Sequence, residues 1–203
     1  MRSGDSTPSH DEAPATRPTL RTARLTLRPL READLPHLVD LNGDPEVLRW
    51  ITGRAMTPEE VAAELPDLLG DERRLGFWCG YGDDRTFAGV WCLAVDRDDP
   101  DAAELGWRLP QASWGRGLAT EGAAAVVTHG FAAVGLARQW AETMAVNTAS
   151  RRVMEKLGMS HTRTEVRTWD DPIPGWEQGE VVYELTRSAW LTSSRRGPWP
   201  PSG

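Results

Sequence analysis

Lysine is almost missing from this 203-residue chain: Lys156 stands alone among 23 basic residues. So one-sided a use of arginine reads as a coding bias and assigns no function. Cysteine is nearly as scarce. Cys79 and Cys92 are the only two, and no histidine stands near them at a zinc-site spacing. The pair is expected to stay reduced, and no metal is expected. Long apolar runs are absent too. No stretch approaches the ~20 apolar residues of a membrane span, and the opening MRSGDSTPSHDEAPATRP lacks the apolar core of a secretory signal. The expectation is a soluble, cytoplasmic protein without a membrane partner.

Positive charge is also in deficit. Against 23 basic residues stand 30 acidic ones, a formal net charge of -7. That balance works against an electrostatic grip on nucleic acid and favours a cationic partner. Tryptophan, in contrast, is plentiful at ten residues. Most of these belong in a core or sheet, with some available to line a pocket.

The length suits one domain. Residues 1–17 and 192–203 carry no periodic apolar pattern and are expected to be flexible tails around a folded unit at 18–191. Within that unit Leu25, Leu27 and Pro29 alternate with Arg24, Thr26 and Arg28, which predicts a strand over 24–30. A helix follows over 31–41, with Pro36 in its first turn. A second helix opens at Thr57-Pro58-Glu59-Glu60, where Thr57 caps, Pro58 takes the first helical position and Glu60 closes a capping box. Strands are predicted over 76–81 and 86–95, linked by Gly82-Asp83-Asp84, and over 104–109 after an acidic loop. Beyond Gly117, Ala119, Ala123, Val126, Val127, Phe131 and Val134 recur at helical spacing. A strand over 139–146, a short helix from Asn147 to Gly158, and strands over 161–169 and 180–186 complete the pattern. This order implies an α/β fold, a mixed sheet with helices on both faces.

The chemistry concentrates where the third of these helices begins. Gly115-Arg116-Gly117 lets the backbone turn sharply and approach a ligand closely. The helix that follows aims unpaired N–H groups and its positive end at the same spot, so a pyrophosphate is a natural occupant. A plain strand-to-helix turn would use the same glycines. A Walker loop is excluded by Gly-Leu-Ala-Thr in place of Gly-Lys-Ser/Thr, and a dinucleotide fingerprint fits poorly because Thr120 stands where Gly or Ala belongs.

Trp114-Gly115-Arg116-Gly117-Leu118-Ala119 resembles motif A of the GNAT acetyltransferase superfamily, with Gly117 and Ala119 matching and Trp114 in place of the usual Gln or Arg. The run Asn147-Thr148-Ala149-Ser150 through Glu155-Lys156-Leu157-Gly158-Met159 resembles motif B. The Trp-Gly-Arg-Gly form and the opening Arg24-Leu25-Thr26-Leu27-Arg28-Pro29 are similar to the RimJ/RimL branch. The resemblance spans about residues 20–191. It implies a GNAT fold whose mostly antiparallel sheet splays between its fourth and fifth strands, 104–109 and 139–146, with the pantetheine arm of acetyl-CoA in the split. The backbone of Trp107, Arg108 and Leu109 would pair with that arm, and Trp114, Gly115, Arg116, Gly117, Leu118, Ala119 and Thr120 would hold the pyrophosphate. Asn147 and Ser150 would contact the pantetheine or thioester, although Asn147 also reads as an ordinary helix cap.

The implied reaction moves an acetyl group from acetyl-CoA to a primary amine by direct attack. The acceptor is a protein N-terminus or a small-molecule amine; the other reading is a GNAT-like domain that binds CoA without turnover. Glu104 and Glu142 are the candidate bases, and a backbone N–H near Leu109 the candidate oxyanion donor. Many family members carry a tyrosine as general acid where this chain has Met154, which leaves Ser150 or water for that role. Glu121 reads as a complement to the helix dipole. Substrate entry is expected between the first two helices and the 170–179 loop, which carries Asp170, Asp171, Trp176 and Glu177. The resembling branch allows a monomer or a homodimer.

Overall fold

The computed structural model describes residues 17–69, 74–168 and 172–196. Its centre is an eight-stranded sheet in the order β1-β2-β3-β4-β5-β6-β8-β7. Short β1 (Leu20–Arg21) pairs with β2 (Leu25–Pro29), where the alternation of Leu25 and Leu27 puts both leucines in the core. The expected first helix begins later than its pattern suggests. A 3₁₀ turn, Glu32–Asp34, precedes α1 (Leu35–Asn42), because Asp34 bends back to accept from the Arg31 N–H and from Arg28. Pro36 sits in the first turn of α1, as expected.

A short helix absent from the sequence reading follows. This α2 (Pro45–Leu48) is capped by Asp44, whose carboxylate accepts from the Glu46 N–H at 2.9 Å. α3 (Pro58–Leu69) has the predicted capping box. Glu60 N–H donates to Thr57 Oγ1 at 3.2 Å, and Thr57 N–H donates to the Glu60 carboxylate at 2.8 Å.

β3 (Gly76–Gly82), β4 (Phe87–Val95) and β5 (Ala102–Arg108) form an antiparallel meander. α4 (Leu118–Thr128) crosses one face of it and widens into a π-helical turn, His129–Val134. β6 (Arg138–Met144) then runs parallel to β5, the one parallel pairing in the sheet. α5 (Thr148–Lys156) leads to β7 (Ser160–Glu165), which ends sooner than the predicted 161–169; position 169 lies outside the described residues. β8 (Glu180–Thr186) inserts between β6 and β7. A last helix, α6 (Arg187–Arg196), runs on past Leu191. Its Trp190 packs on Phe131, with ring centroids 5.4 Å apart. Residues 1–16 and 197–203 of the expected tails lie outside the described residues.

Helices cover both faces. α4 and α5 bury Ala123, Val126, Val127, Phe131, Met154 and Leu157 against the sheet, together with Trp91, Leu93 and Leu105. α1 and α3 bury Leu38, Leu41, Val61 and Leu65 over Cys79 and Val90 on the opposite face.

Candidate functional site

β5 and β6 pair only at Ala102–Arg138, Ala103–Gln139 and Glu104–Trp140, yet β5 continues to Arg108 and β6 to Met144. Beyond Glu104 each strand therefore presents an edge without its neighbour, and main-chain groups facing that gap need another partner. A cavity of about 860 Å³ opens there. One wall is the loop and first turn of α4; the other is α1, α2 and α3.

The loop end meets the physical requirements of an anion cradle. Gly115 and Gly117 adopt φ of +69° and +76°, a region that side-chain-bearing residues enter only at a cost of roughly 1–2 kcal/mol. Gly117 is the N-cap of α4 and no side chain caps that helix end. The first N–H groups of α4 are thus left for a ligand. Gly115, Gly117, Ala119 and Thr120 line the cavity, and so does the largely buried Leu118. Arg116 is exposed and is not part of the lining. Its carbonyl instead accepts from Arg24 at 3.0 Å. Trp114, 47% exposed, lines the rim and donates its indole N–H to the Leu109 carbonyl at 2.8 Å.

Glu121 does more than complement the helix dipole. Its carboxylate accepts from Thr22 Oγ1 at 2.6 Å, from Arg24 Nε at 2.7 Å and from the Arg24 N–H at 2.8 Å. These bonds tie the glycine loop to the β1–β2 hairpin and hold the Glu121 carboxyl below its usual range.

Asn147 and Ser150 line the same cavity. Asn147 is the N-cap of α5: its Oδ1 accepts from the Ser150 N–H at 3.2 Å and its Nδ2 donates to Thr143 at 3.0 Å. Ser150 Oγ makes no hydrogen bond among the described residues. Met154 borders the cavity but is buried in the core at 1% exposure, and its thioether has no proton to donate.

The two candidate carboxylates occupy the same face of neighbouring strands but different environments. Glu142 is gripped by Arg167 in a fork, NH1 to Oε1 at 2.7 Å and NH2 to Oε2 at 2.9 Å. Arg167 also bonds Glu165 and Glu180. Glu104 is half-buried, and its carboxylate has no hydrogen bond or ion pair among the described residues. Burial and then the negative charge of Glu142 push its pKa up, with Asp96 adding to the shift and Arg167 opposing it. Beside it, burial and the Glu104 charge push the Cys92 thiol up to about 12, so it stays protonated.

Of the 170–179 loop, Asp170 and Asp171 lie outside the described residues, and neither Trp176 nor Glu177 lines the cavity. Acidity reaches the cavity from other elements instead, Glu180 of β8 joining Glu104 and Glu142 on the strand side and Glu46 and Glu64 on the side of α2 and α3. Sequence reasoning missed Arg167, Glu180 and Asn42 because no local pattern marks them. They reach the site only through strand pairing and helix packing.

Comparison with known proteins agrees with this layout. The profile of the acetyltransferase (GNAT) domain matches residues 24–160. The FsC-acetyl coenzyme A-N(2)-transacetylase of Aspergillus fumigatus is 38% identical over 200 residues, covering 91% of this chain and 85% of that protein. The acetyltransferase from Agrobacterium tumefaciens str. C58 superposes with a TM-score of 0.67 at 26% identity, over 87% of this chain and 99% of that one. Spermidine N-acetyltransferase from Vibrio cholerae, solved with CoA and spermine, shares the fold with a TM-score of 0.72 at 17% identity, over 82% of this chain and 98% of that one. The chain belongs to the GNAT acetyltransferase family and transfers an acetyl group from acetyl-CoA to an amine.

Proposed function

We propose that the acceptor is a small-molecule amine and that Glu104 receives the proton this amine must lose. The observation that carries the second part is the contrast between the two carboxylates. A base needs a free lone pair and a pKa lifted towards neutrality. Glu104 has no hydrogen bond or ion pair among the described residues, is half-buried and is shifted upward, whereas both oxygens of Glu142 are occupied by Arg167. Glu142, with Glu180, then supplies negative potential that attracts a protonated amine. The small-molecule acceptor is supported by the 38% identical relative, named as a transacetylase acting at an N(2) position. The block from Trp114 and the opening Arg24–Pro29 support a place in the RimJ/RimL-like branch.

In this reading the uncapped first turn of α4 takes the pyrophosphate of acetyl-CoA, and the edges of β5 and β6 beyond Glu104 take its pantetheine arm. Trp107, Arg108 and Leu109 contribute backbone groups there. The deprotonated amine nitrogen attacks the thioester carbonyl carbon, and a backbone N–H near Leu109 stabilises the oxyanion. The C–S bond then breaks, and the thiolate takes a proton from Ser150 or water, since Met154 has none to give. The protonated Cys92 thiol is a poor nucleophile, so no acyl-enzyme intermediate is invoked.

Glu104→Gln tests this reading directly. It is expected to lower kcat by about 10²–10⁴-fold, the usual scale for a general base, with acetyl-CoA affinity near wild type and partial recovery at high pH. Glu142→Gln is the matched variant. Full activity in Glu104→Gln together with loss in Glu142→Gln would transfer the role to the other strand.

A further inference from the structure

Glu104, Gly106 and Arg108 are alternate residues of β5 and so lie on one face, the face roofed by α1 and α3. Their cross-strand partners on β4 are Ala94, Cys92 and Val90. Gly106 puts no side chain between the two charged residues, and the Cys92 sulfur packs beside it: a Cβ there would come within 2.7 Å of Cys92 Sγ. The cavity floor is therefore anionic at one end and cationic at the other.

The cationic end is unusual in how it is held. Three other arginines packed along the sheet are matched with carboxylates: Arg28 with Asp34, Arg138 with Asp96, Asp99 and Glu184, and Arg167 with Glu142, Glu165 and Glu180. Arg108 has no ion pair among the described residues. Its one side-chain hydrogen bond runs from NH1 to the neutral Oδ1 of Asn42, at 2.5 Å. Asn42 is 2% exposed at the end of α1, and its own carbonyl accepts from the Met56 N–H at 2.9 Å, so it is a fixed post. Burial pulls the Arg108 pKa down, with Cys92 and then the exposed Glu64 opposing the shift. A guanidinium offers five donors in a planar fork that matches a carboxylate. Here one donor is used in a side-chain hydrogen bond and Glu64 acts only at a distance, and a desolvated cation without a paired carboxylate is costly.

We infer that Arg108 anchors a carboxylate carried by the acceptor, which makes the preferred acceptor an amino acid or an amino-acid-like amine rather than a polyamine. This rests on reading the cavity as the acceptor site. The amine would lie towards Glu104 and the acid group towards Arg108, over Gly106 and the Cys92 thiol. A molecule with only amino groups would bring a second positive charge against the guanidinium.

The experiment compares acceptors that differ only in the carboxylate: ornithine with putrescine, phenylalanine with phenethylamine, and lysine with cadaverine. Thiol release from acetyl-CoA gives kcat/KM for each pair, and calorimetry on the CoA-loaded protein gives affinity whether or not a pair turns over. Wild type is expected to favour the carboxylate-bearing member, and Arg108→Gln to shrink that preference by about 10- to 100-fold, mostly through KM, the scale of a charged hydrogen bond. Short carboxylates such as propionate should compete with the amine in wild type, a readout that needs no variant. Equal kcat/KM or affinity for both members in wild type would overturn the inference. So would a loss in Arg108→Gln that leaves the preference intact, which would mark a structural role. Failure of acetyl-CoA itself to bind wild type would instead overturn the transferase reading of the cavity.

Discussion

Gly122→Ala is the most telling single perturbation, because one methyl group tests how the phosphate loop is positioned. Gly122 lies in α4 directly over the fully buried Trp91 of β4. A Cβ there would sit 2.3 Å from Cε2 and 2.6 Å from both Cζ2 and Nε1 of the indole. Carbon atoms prefer separations of about 3.5–4.0 Å, so helix and sheet must part by more than 1 Å. Overpacking of this kind costs about 1–3 kcal/mol. The same displacement strains the bond from Trp91 Nε1 to the Ala119 carbonyl, 3.1 Å long, worth a further ~0.5–1.5 kcal/mol. The total, about 1.5–4.5 kcal/mol, lowers Tm by roughly 3–18 °C for a chain of this size. Ala119 belongs to the first turn whose N–H groups are assigned to the pyrophosphate, so the KM for acetyl-CoA should rise along with the loss of stability. Differential scanning calorimetry and initial-rate kinetics measure the two effects. A Tm within 2 °C of wild type with unchanged KM would refute the claim that Trp91 sets the height of α4 over the sheet.

Gly117→Val separates backbone conformation from packing, since a Cβ there meets only Arg24 NH2, at an ordinary 3.6 Å. The left-handed φ of +76° disfavours a β-branched residue, so the loop changes course, and calorimetry should show acetyl-CoA affinity severely reduced in a protein that still folds. Glu104→Gln should raise Tm at neutral pH, because a carboxylate whose folded pKa is raised is a destabilising charge once pH passes its unfolded value. The wild-type penalty vanishes below the unfolded pKa and grows as pH rises towards the folded one, so the two melting curves should converge in acid; a constant gap would contradict the shift. The kcat/KM profile of wild type should accordingly rise through a pKa above the ordinary carboxylate range and lose that limb in Glu104→Gln.

Some features of this protein follow from its sequence alone, because the forces behind them are local. The Thr57–Glu60 box, the Asn147 cap and the glycines of the loop act within three or four residues. The stripe from Ala123 to Phe131 follows from helical geometry. Glu104 and Glu142 were recognisable as a pair once the strands around them were placed, and Met154 as a missing acid. The sequence did not distinguish the two carboxylates. That distinction depends on Arg167, which lies 25 residues from Glu142 and reaches it only because β8 pairs with both β6 and β7 and so brings the segment after β7 across to β6. Nor did it mark Arg108 as a side chain without an ion pair among the described residues. Its partner Asn42 is 66 residues distant, at the end of a helix laid over the opposite face. Local pattern fixes which residues turn, cap and alternate. Which charges are left bare depends on contacts between distant segments, and only the folded sheet brings those segments together.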